Sequence, residues 1–129
     1  MRPLYQLALR AIPTIFWVML IITTISMLIE LAPKQAGWAY WDKLQHMLVF
    51  MMLLLLGANA YLHKYYLAIG LMLYGAIIEV LQSMFTLTRH ASIDDWLADV
   101  VGICMGLLIF ALLQKIVPTI AYKQLPIKQ

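Results

Sequence analysis

The stretch LADVVGICMGLLIFALLQKIV, residues 97–117, decides the fold of this chain because it is apolar over almost its whole length. Its only charged residues, Asp99 and Lys115, lie toward its two ends. A helix rises about 1.5 Å per residue, so about 20 apolar residues cross the hydrocarbon core of a bilayer, which is roughly 30 Å thick. The stretch therefore predicts a membrane-spanning helix.

Three further apolar runs of similar length precede this stretch, at residues 12–32, 44–62 and 66–87. Apolar residues make up 64% of the chain and charged residues 12%, against roughly 45–50% and about 25% in soluble domains. Four spans of about 20 residues leave only tails and short loops in a chain of 129 residues. The sequence predicts an all-α bundle of four transmembrane helices that forms a single membrane domain over residues 1–129.

The basic residues predict the orientation of these spans. With four spans both termini lie on one side of the membrane. Basic residues on that side are Arg2, Arg10, Lys64, Lys115, Lys123 and Lys128, and those on the other are Lys34, Lys43 and Arg89. The positive-inside rule then predicts cytoplasmic termini, and Trp38, Tyr40, Trp41 and Trp96 are expected to form an aromatic belt at the outer interface. The basic residues form no tract, so the net charge of +3 indicates orientation rather than nucleic-acid binding.

Polar residues recur at helical spacing in the second and third spans. A charged group inside a span costs about 2.5–3.5 kcal/mol on insertion scales, so each one requires an explanation. Asp42 and His46 open the second span at i and i+4, which stacks their side chains on one face. Glu79 and Gln82, at i and i+3, share a face near the outer end of the third span. Gly57 continues the face of His46 and is expected at a helix contact.

The fourth span carries a narrow strip of acids and glycines. Asp95, Asp99, Gly102 and Gly106 follow one another at spacings of 4, 3 and 4. Glycines at this spacing let a neighbouring helix approach closely. Close approach would bring the two carboxylates toward the partner helix.

In this topology the second and fourth spans start at the outer face and the third span ends there. The polar groups of all three spans therefore lie in the outer half of the membrane, and they predict one outward-facing polar pocket. The predicted ligand-binding residues are Asp42, Lys43, His46, Glu79, Gln82, Arg89, Asp95 and Asp99. For acid–base catalysis the candidates are His46, Glu79 and Asp99.

Some of these residues also have a purely structural explanation. Residues 92–95, Ser-Ile-Asp-Asp, match a helix-capping pattern, and Asp95 is favourable at a helix N-terminus. Asp42 is a first-turn acid of the same kind. Glu79 and Asp99 lie too deep for capping, and the prediction of a pocket depends on them.

No cofactor and no resident metal are expected from the sequence. Its single cysteine, Cys104, excludes an intrachain disulfide and a CxxC pair. A metal site made of His46, Glu79 and Asp99 is an alternative, since one histidine and two carboxylates are feasible ligands for Zn²⁺. No two-histidine motif such as HExxH supports it.

The polar motifs occur in an ordered series that matches a known family. DKLQH at 42–46 and EVLQ at 79–82 are followed by Arg89 and by D-x-x-x-D-x-x-G-x-x-x-G at 95–106. This series resembles the pattern D-K-x-x-H, E-x-x-Q, R, D-x-x-x-N-x-x-G-x-x-x-G of the VanZ-like family of small bacterial membrane proteins. The match covers about residues 30–110. Asp99 stands where the family usually has Asn, which adds a carboxylate to the expected pocket.

The resemblance implies a multi-pass protein of the bacterial cytoplasmic membrane, linked through its namesake to teicoplanin resistance. Together with this resemblance, the polar residues favour a pocket that binds or modulates a cell-envelope ligand, namely a lipid head group, a wall precursor or a lipoglycopeptide. An intramembrane enzyme acting on a lipid-linked substrate is the alternative. A proton-coupled carrier is less favoured because four spans show no inverted repeat. The lipid bilayer is the expected partner, and no nucleic acid is expected.

Overall fold

A computed structural model describes residues 2–29, 39–60, 63–86 and 91–116 of the chain. Within these ranges it consists of four helices, α1 (Arg2–Leu28), α2 (Ala39–Asn59), α3 (Lys64–Phe85) and α4 (Ile93–Ile116), and contains no strand. Each helix is long and apolar enough to cross a membrane. The prediction of an all-α fold with four membrane-spanning helices is confirmed.

All four helices begin earlier than the apolar runs predict, α3 by only two residues, at Lys64 rather than residue 66. Helix α1 begins at Arg2 rather than residue 12 and continues through Pro13. Helices α2 and α4 begin at Ala39 and Ile93, rather than at residues 44 and 97. Both have acids in the first turn, where a carboxylate complements the helix dipole, so a search for apolar residues misses these turns. The predicted ends at residues 32, 62, 87 and 117 lie outside the described residues.

Helices α2 and α4 form the most extensive contact in the bundle. A Cβ atom at Gly102 would overlap the backbone carbonyl of Met47, and one at Gly106 would lie 3.1 Å from the carbonyl oxygen of Met51. The two helices therefore touch backbone to backbone, which residues with side chains at these positions would prevent.

Helix α1 lies on the other side of the bundle, where it packs against α2 and α3; among the described residues it makes no contact of note with α4. Gly57 of α2 allows this close packing, since a Cβ atom there would lie 2.6 Å from the side chain of Leu67 in α3 and 2.9 Å from that of Phe16 in α1. His46 and Gly57 share one face of α2, but His46 contacts Asp99 of α4 whereas Gly57 packs against α1 and α3.

The buried core runs along the bundle axis and is apolar except near one end. Phe50, Leu53 and Leu54 of α2 are completely buried, as is Ile103 of α4. Large apolar side chains also cover the outer surface, as expected for helices that face lipid. They include Ile21, Ile22, Leu73, Ile77, Leu108 and Leu112.

Candidate functional site

A buried pair of ionisable side chains joins α2 to α4. His46 Nδ1 lies 2.9 Å from Asp99 Oδ1, and the two side chains are 4% and 1% exposed. The distance is that of a hydrogen bond between an imidazole and a carboxylate. Both side chains are shielded from lipid. The hydrogen bond between them satisfies polar atoms that would find no partner in hydrocarbon.

Helix α3 approaches this pair closely at Gly75. A Cβ atom at this position would lie 2.7 Å from Asp99 Oδ2. Asp99 is therefore held between His46 and the backbone of α3. Gly75 was not among the predicted site residues, although it precedes Glu79 by four residues and Gln82 by seven and so shares their face.

Asp42 and Asp95 lie near the imidazole of His46. One ligand atom from each of Asp42, His46 and Asp95 lies within 4.8 Å of the others. Asp95 is buried and Asp42 half-buried. The arrangement follows from helix geometry, because Asp42 is one turn from His46 on α2 and Asp95 is one turn from Asp99 on α4.

Glu79 brings α3 to the same layer. The residue is 5% exposed, and its Oε2 accepts a hydrogen bond of 2.8 Å from the backbone N–H of Ser92. Its other oxygen, Oε1, is buried and has no hydrogen-bond partner in the described part of the chain. Glu79 also lies within electrostatic range of His46, Asp95 and Asp99. We call Asp42, His46, Glu79, Asp95 and Asp99 the polar cluster.

Gln82 has a different neighbour. Its side chain is buried, and Nε2 donates a hydrogen bond of 2.8 Å to the backbone carbonyl of Met27 in α1. The residue thus links α3 to α1, a contact not expected from the sequence.

Lys43 lies at the exposed rim. Its Nζ is 2.8 Å from Asp94 Oδ2, and the two side chains are 38% and 68% exposed. This ion pair links the N-terminal parts of α2 and α4. Arg89, the other basic residue predicted for ligand binding, lies outside the described residues.

The aromatic residues predicted for the membrane interface divide into two groups. Tyr40 and Trp41 are exposed at the start of α2, and Trp38 lies outside the described residues. The indole of Trp96 instead donates a hydrogen bond of 3.0 Å to the carbonyl of Met72 in α3. Trp96 therefore links α4 to α3.

Carboxylates predominate in the polar cluster. Four of its five members are acids, and His46 is the fifth. In the described ranges, the nearby Lys43 is engaged by Asp94 at the rim. The cluster therefore suits a group that brings positive charge or hydrogen-bond donors.

A separate cavity of about 370 Å³ lies between α1 and α3. Its lining is mostly aromatic and aliphatic and contains no member of the polar cluster. The lining residues are Phe16, Trp17, Leu20, His63, Tyr66, Leu67, Gly70, Leu71 and Tyr74.

Four apolar helices with buried polar groups from three of them define a small multi-pass membrane protein. The sequence model of the family described as VanZ/LLP1 matches residues 23–114, which include the whole polar cluster. The chain belongs to this family, and the resemblance noted from its motifs is confirmed. Comparison with curated proteins and with solved structures gave no match.

Proposed function

We propose that this protein binds the polar head group of a cell-envelope component at the polar cluster, from the outer side of the bacterial cytoplasmic membrane. The observation that carries the proposal is the meeting of buried ionisable groups from α2, α3 and α4 in one layer. Ionisable residues inside a membrane protein are costly and most often mark a functional site.

The chemistry of the cluster suggests what it would bind. Carboxylates accept hydrogen bonds from hydroxyl and ammonium groups, and those bonds are strongest when the donor is charged. An amphiphile whose head group carries amines or hydroxyls fits this requirement, with its apolar part in the bilayer. Phospholipids, lipid-linked wall precursors and lipoglycopeptides such as teicoplanin belong to this class, and a link to teicoplanin resistance is part of the proposal.

Binding is tested on purified protein in nanodiscs with three probes: phosphatidylethanolamine, a lipid-linked wall precursor and teicoplanin. We expect saturable binding of at least one probe, weakened tenfold or more by Glu79→Gln. Asp94→Asn is the matched control, because Asp94 is an acid paired at the rim outside the cluster. If no probe binds, or if both variants bind like the wild type, the proposal is wrong.

An enzyme is the second candidate, favoured by the geometry of one pair. Asp99 holds the imidazole of His46 through Nδ1, which leaves Nε2 as the nitrogen that could take a proton from a substrate or a water. A base oriented by a carboxylate is a recurrent arrangement in acyl-transfer enzymes. Conversion of the bound lipid-linked probe into a new product, abolished by His46→Gln, would favour this candidate over binding alone.

The proposed orientation has its own test. Six basic residues on the side of the termini against three on the other predict cytoplasmic ends. A green fluorescent protein fused to the C-terminus should fluoresce, and alkaline phosphatase at the same position should be inactive. The opposite pair of results would place the polar cluster on the cytoplasmic side.

A further inference from the structure

Three side chains of the polar cluster form a set of metal-ligand type. Asp42 and His46 come from α2 and Asp95 comes from α4, and one ligand atom from each lies within 4.8 Å of the others. Around a tetrahedral ion with bonds of about 2.1 Å, ligand atoms are about 3.4 Å apart. The three atoms therefore need to close by no more than about 1.5 Å, a change within the reach of small rotations of the Asp42 and Asp95 side chains.

The orientation of His46 leaves one ring nitrogen available for a metal ion. Its Nδ1 faces Asp99 Oδ1 at 2.9 Å, so Nε2 is the ring nitrogen left to coordinate. Histidines that bind metal ions almost always donate their other N–H to a carboxylate, a carbonyl or a water. Asp99 occupies the position of such an outer carboxylate.

Glu79 supplies an independent observation beside this set. Its Oε1 is buried without a hydrogen-bond partner in the described part of the chain, although a buried carboxylate oxygen that accepts no bond is costly. Its Oε2 is bonded to Ser92 N–H, and the Ser92 hydroxyl accepts a bond of 3.2 Å from Asp95 N–H. Glu79 thus adjoins Asp95, where a water on a bound ion would satisfy Oε1.

We infer that Asp42, His46 through Nε2, and Asp95 hold a divalent metal ion of the Zn²⁺ or Mn²⁺ class. One imidazole and two carboxylates suit these ions, and three protein ligands leave a coordination position for water or a head-group oxygen. Each carboxylate has two oxygens, so coordination does not require that Asp42 or Asp95 lack other partners. The ion would also balance the excess of carboxylates in the layer.

This inference goes beyond head-group binding and is tested without any lipid probe. The full chain, purified with a tag that contains no histidine and stripped with a chelator, is titrated with Zn²⁺ and with Mn²⁺ by calorimetry. We expect one ion per chain for at least one metal. Asp42→Asn and Asp95→Asn should each weaken its binding tenfold or more.

Asp94→Asn is the matched control, because it makes the same change next to Asp95 in an acid that is paired with Lys43 at the rim. It should leave the affinity within about twofold. Co²⁺ provides a spectroscopic check, since its visible absorption bands should appear with the wild type and be lost in Asp95→Asn. Circular dichroism melting establishes that each variant is folded.

The inference is overturned by the absence of saturable binding of either metal to the folded wild type. It is also overturned if Asp42→Asn and Asp94→Asn change the affinity equally. Because the titration contains no lipid, wall precursor or teicoplanin, failure here would leave the outcome of the nanodisc experiment unaffected.

Discussion

The contact between α2 and α4 and the contact between α1 and α3 are built in opposite ways. At the first, glycines bring the two backbones together, and a buried histidine and aspartate bond across the gap. At the second, aromatic and aliphatic side chains leave a cavity of about 370 Å³. At Gly70 in this cavity, an added Cβ would meet no atom within 4 Å.

The difference shows how this fold accommodates buried ionisable side chains among apolar helices. An aspartate side chain is short, so Asp99 reaches His46 only where the helix axes are close. On the looser side, the polar contacts between α1 and α3 within the described ranges join neutral groups, such as the 2.8 Å bond between Thr24 and Tyr74. Close backbone packing and buried ionisable groups therefore occur together, and four sets of substitutions test this comparison.

Replacing a glycine by alanine should have the largest effect on the free energy of unfolding. Whether the variant is destabilised or stabilised should depend on the side of the bundle on which the glycine lies. In Gly102→Ala the Cβ overlaps the Met47 carbonyl, so α2 and α4 must separate. We expect a loss of about 1–3 kcal/mol in the free energy of unfolding. In Gly70→Ala the methyl group has room, and the loss of chain entropy is smaller, so stability should be unchanged or rise by about 0.5–1 kcal/mol.

Thermal unfolding in detergent, followed by circular dichroism, measures both glycine variants. Equal destabilisation by the two alanines would mean that close packing is not confined to the contact between α2 and α4.

Removal of the carboxylate at 99 should lower stability by an amount comparable to that of Gly102→Ala. Asp99→Leu leaves His46 Nδ1 buried without its partner, which should cost about 1–3 kcal/mol. Asp99→Asn retains an oxygen that can accept the bond, so its cost should be clearly smaller. Denaturant or thermal unfolding measures the stability of the two variants. If Asp99→Asn is as destabilising as Asp99→Leu, the hydrogen bond to His46 contributes little.

Loss of the link between α3 and α1 should have a smaller effect. Gln82→Leu removes the bond to the Met27 carbonyl, and interhelical bonds in membranes contribute about 0.6 kcal/mol on average and at most about 1.7. Ser83→Ala is the neighbouring control, because the exposed Ser83 hydroxyl bonds only to Val80 of its own helix in the described structure. The melting temperature should fall for Gln82→Leu and stay constant for Ser83→Ala; the reverse order would contradict this assignment.

Substitution at the exposed rim should have the smallest effect on stability. Lys43→Ala removes an exposed ion pair with Asp94, and such pairs are weakened by water and salt. We expect a melting temperature indistinguishable from that of the wild type at low and at high salt. A drop as large as that of Gln82→Leu would mean that the rim helps to hold α2 and α4 together.

The family motifs and the helical periodicity predicted much of the candidate site, but they did not predict its partners. Periodicity places Asp95, Asp99, Gly102 and Gly106 on one strip because their spacing matches the turn of a helix. It does not say which helix that strip faces. Gly75 was missed for this reason, since its importance depends on Asp99 of another helix.

The sequence by itself determined that four helices cross the membrane, because long apolar runs have no other stable arrangement in a bilayer. It also determined how far along each helix the polar residues lie, since the rise per residue of a helix is fixed. Only the tertiary structure decided that Asp99 bonds to His46, that Gln82 bonds to α1 and that Trp96 bonds to α3. These choices depend on which helices lie side by side, and that order arises from packing between segments far apart in the chain.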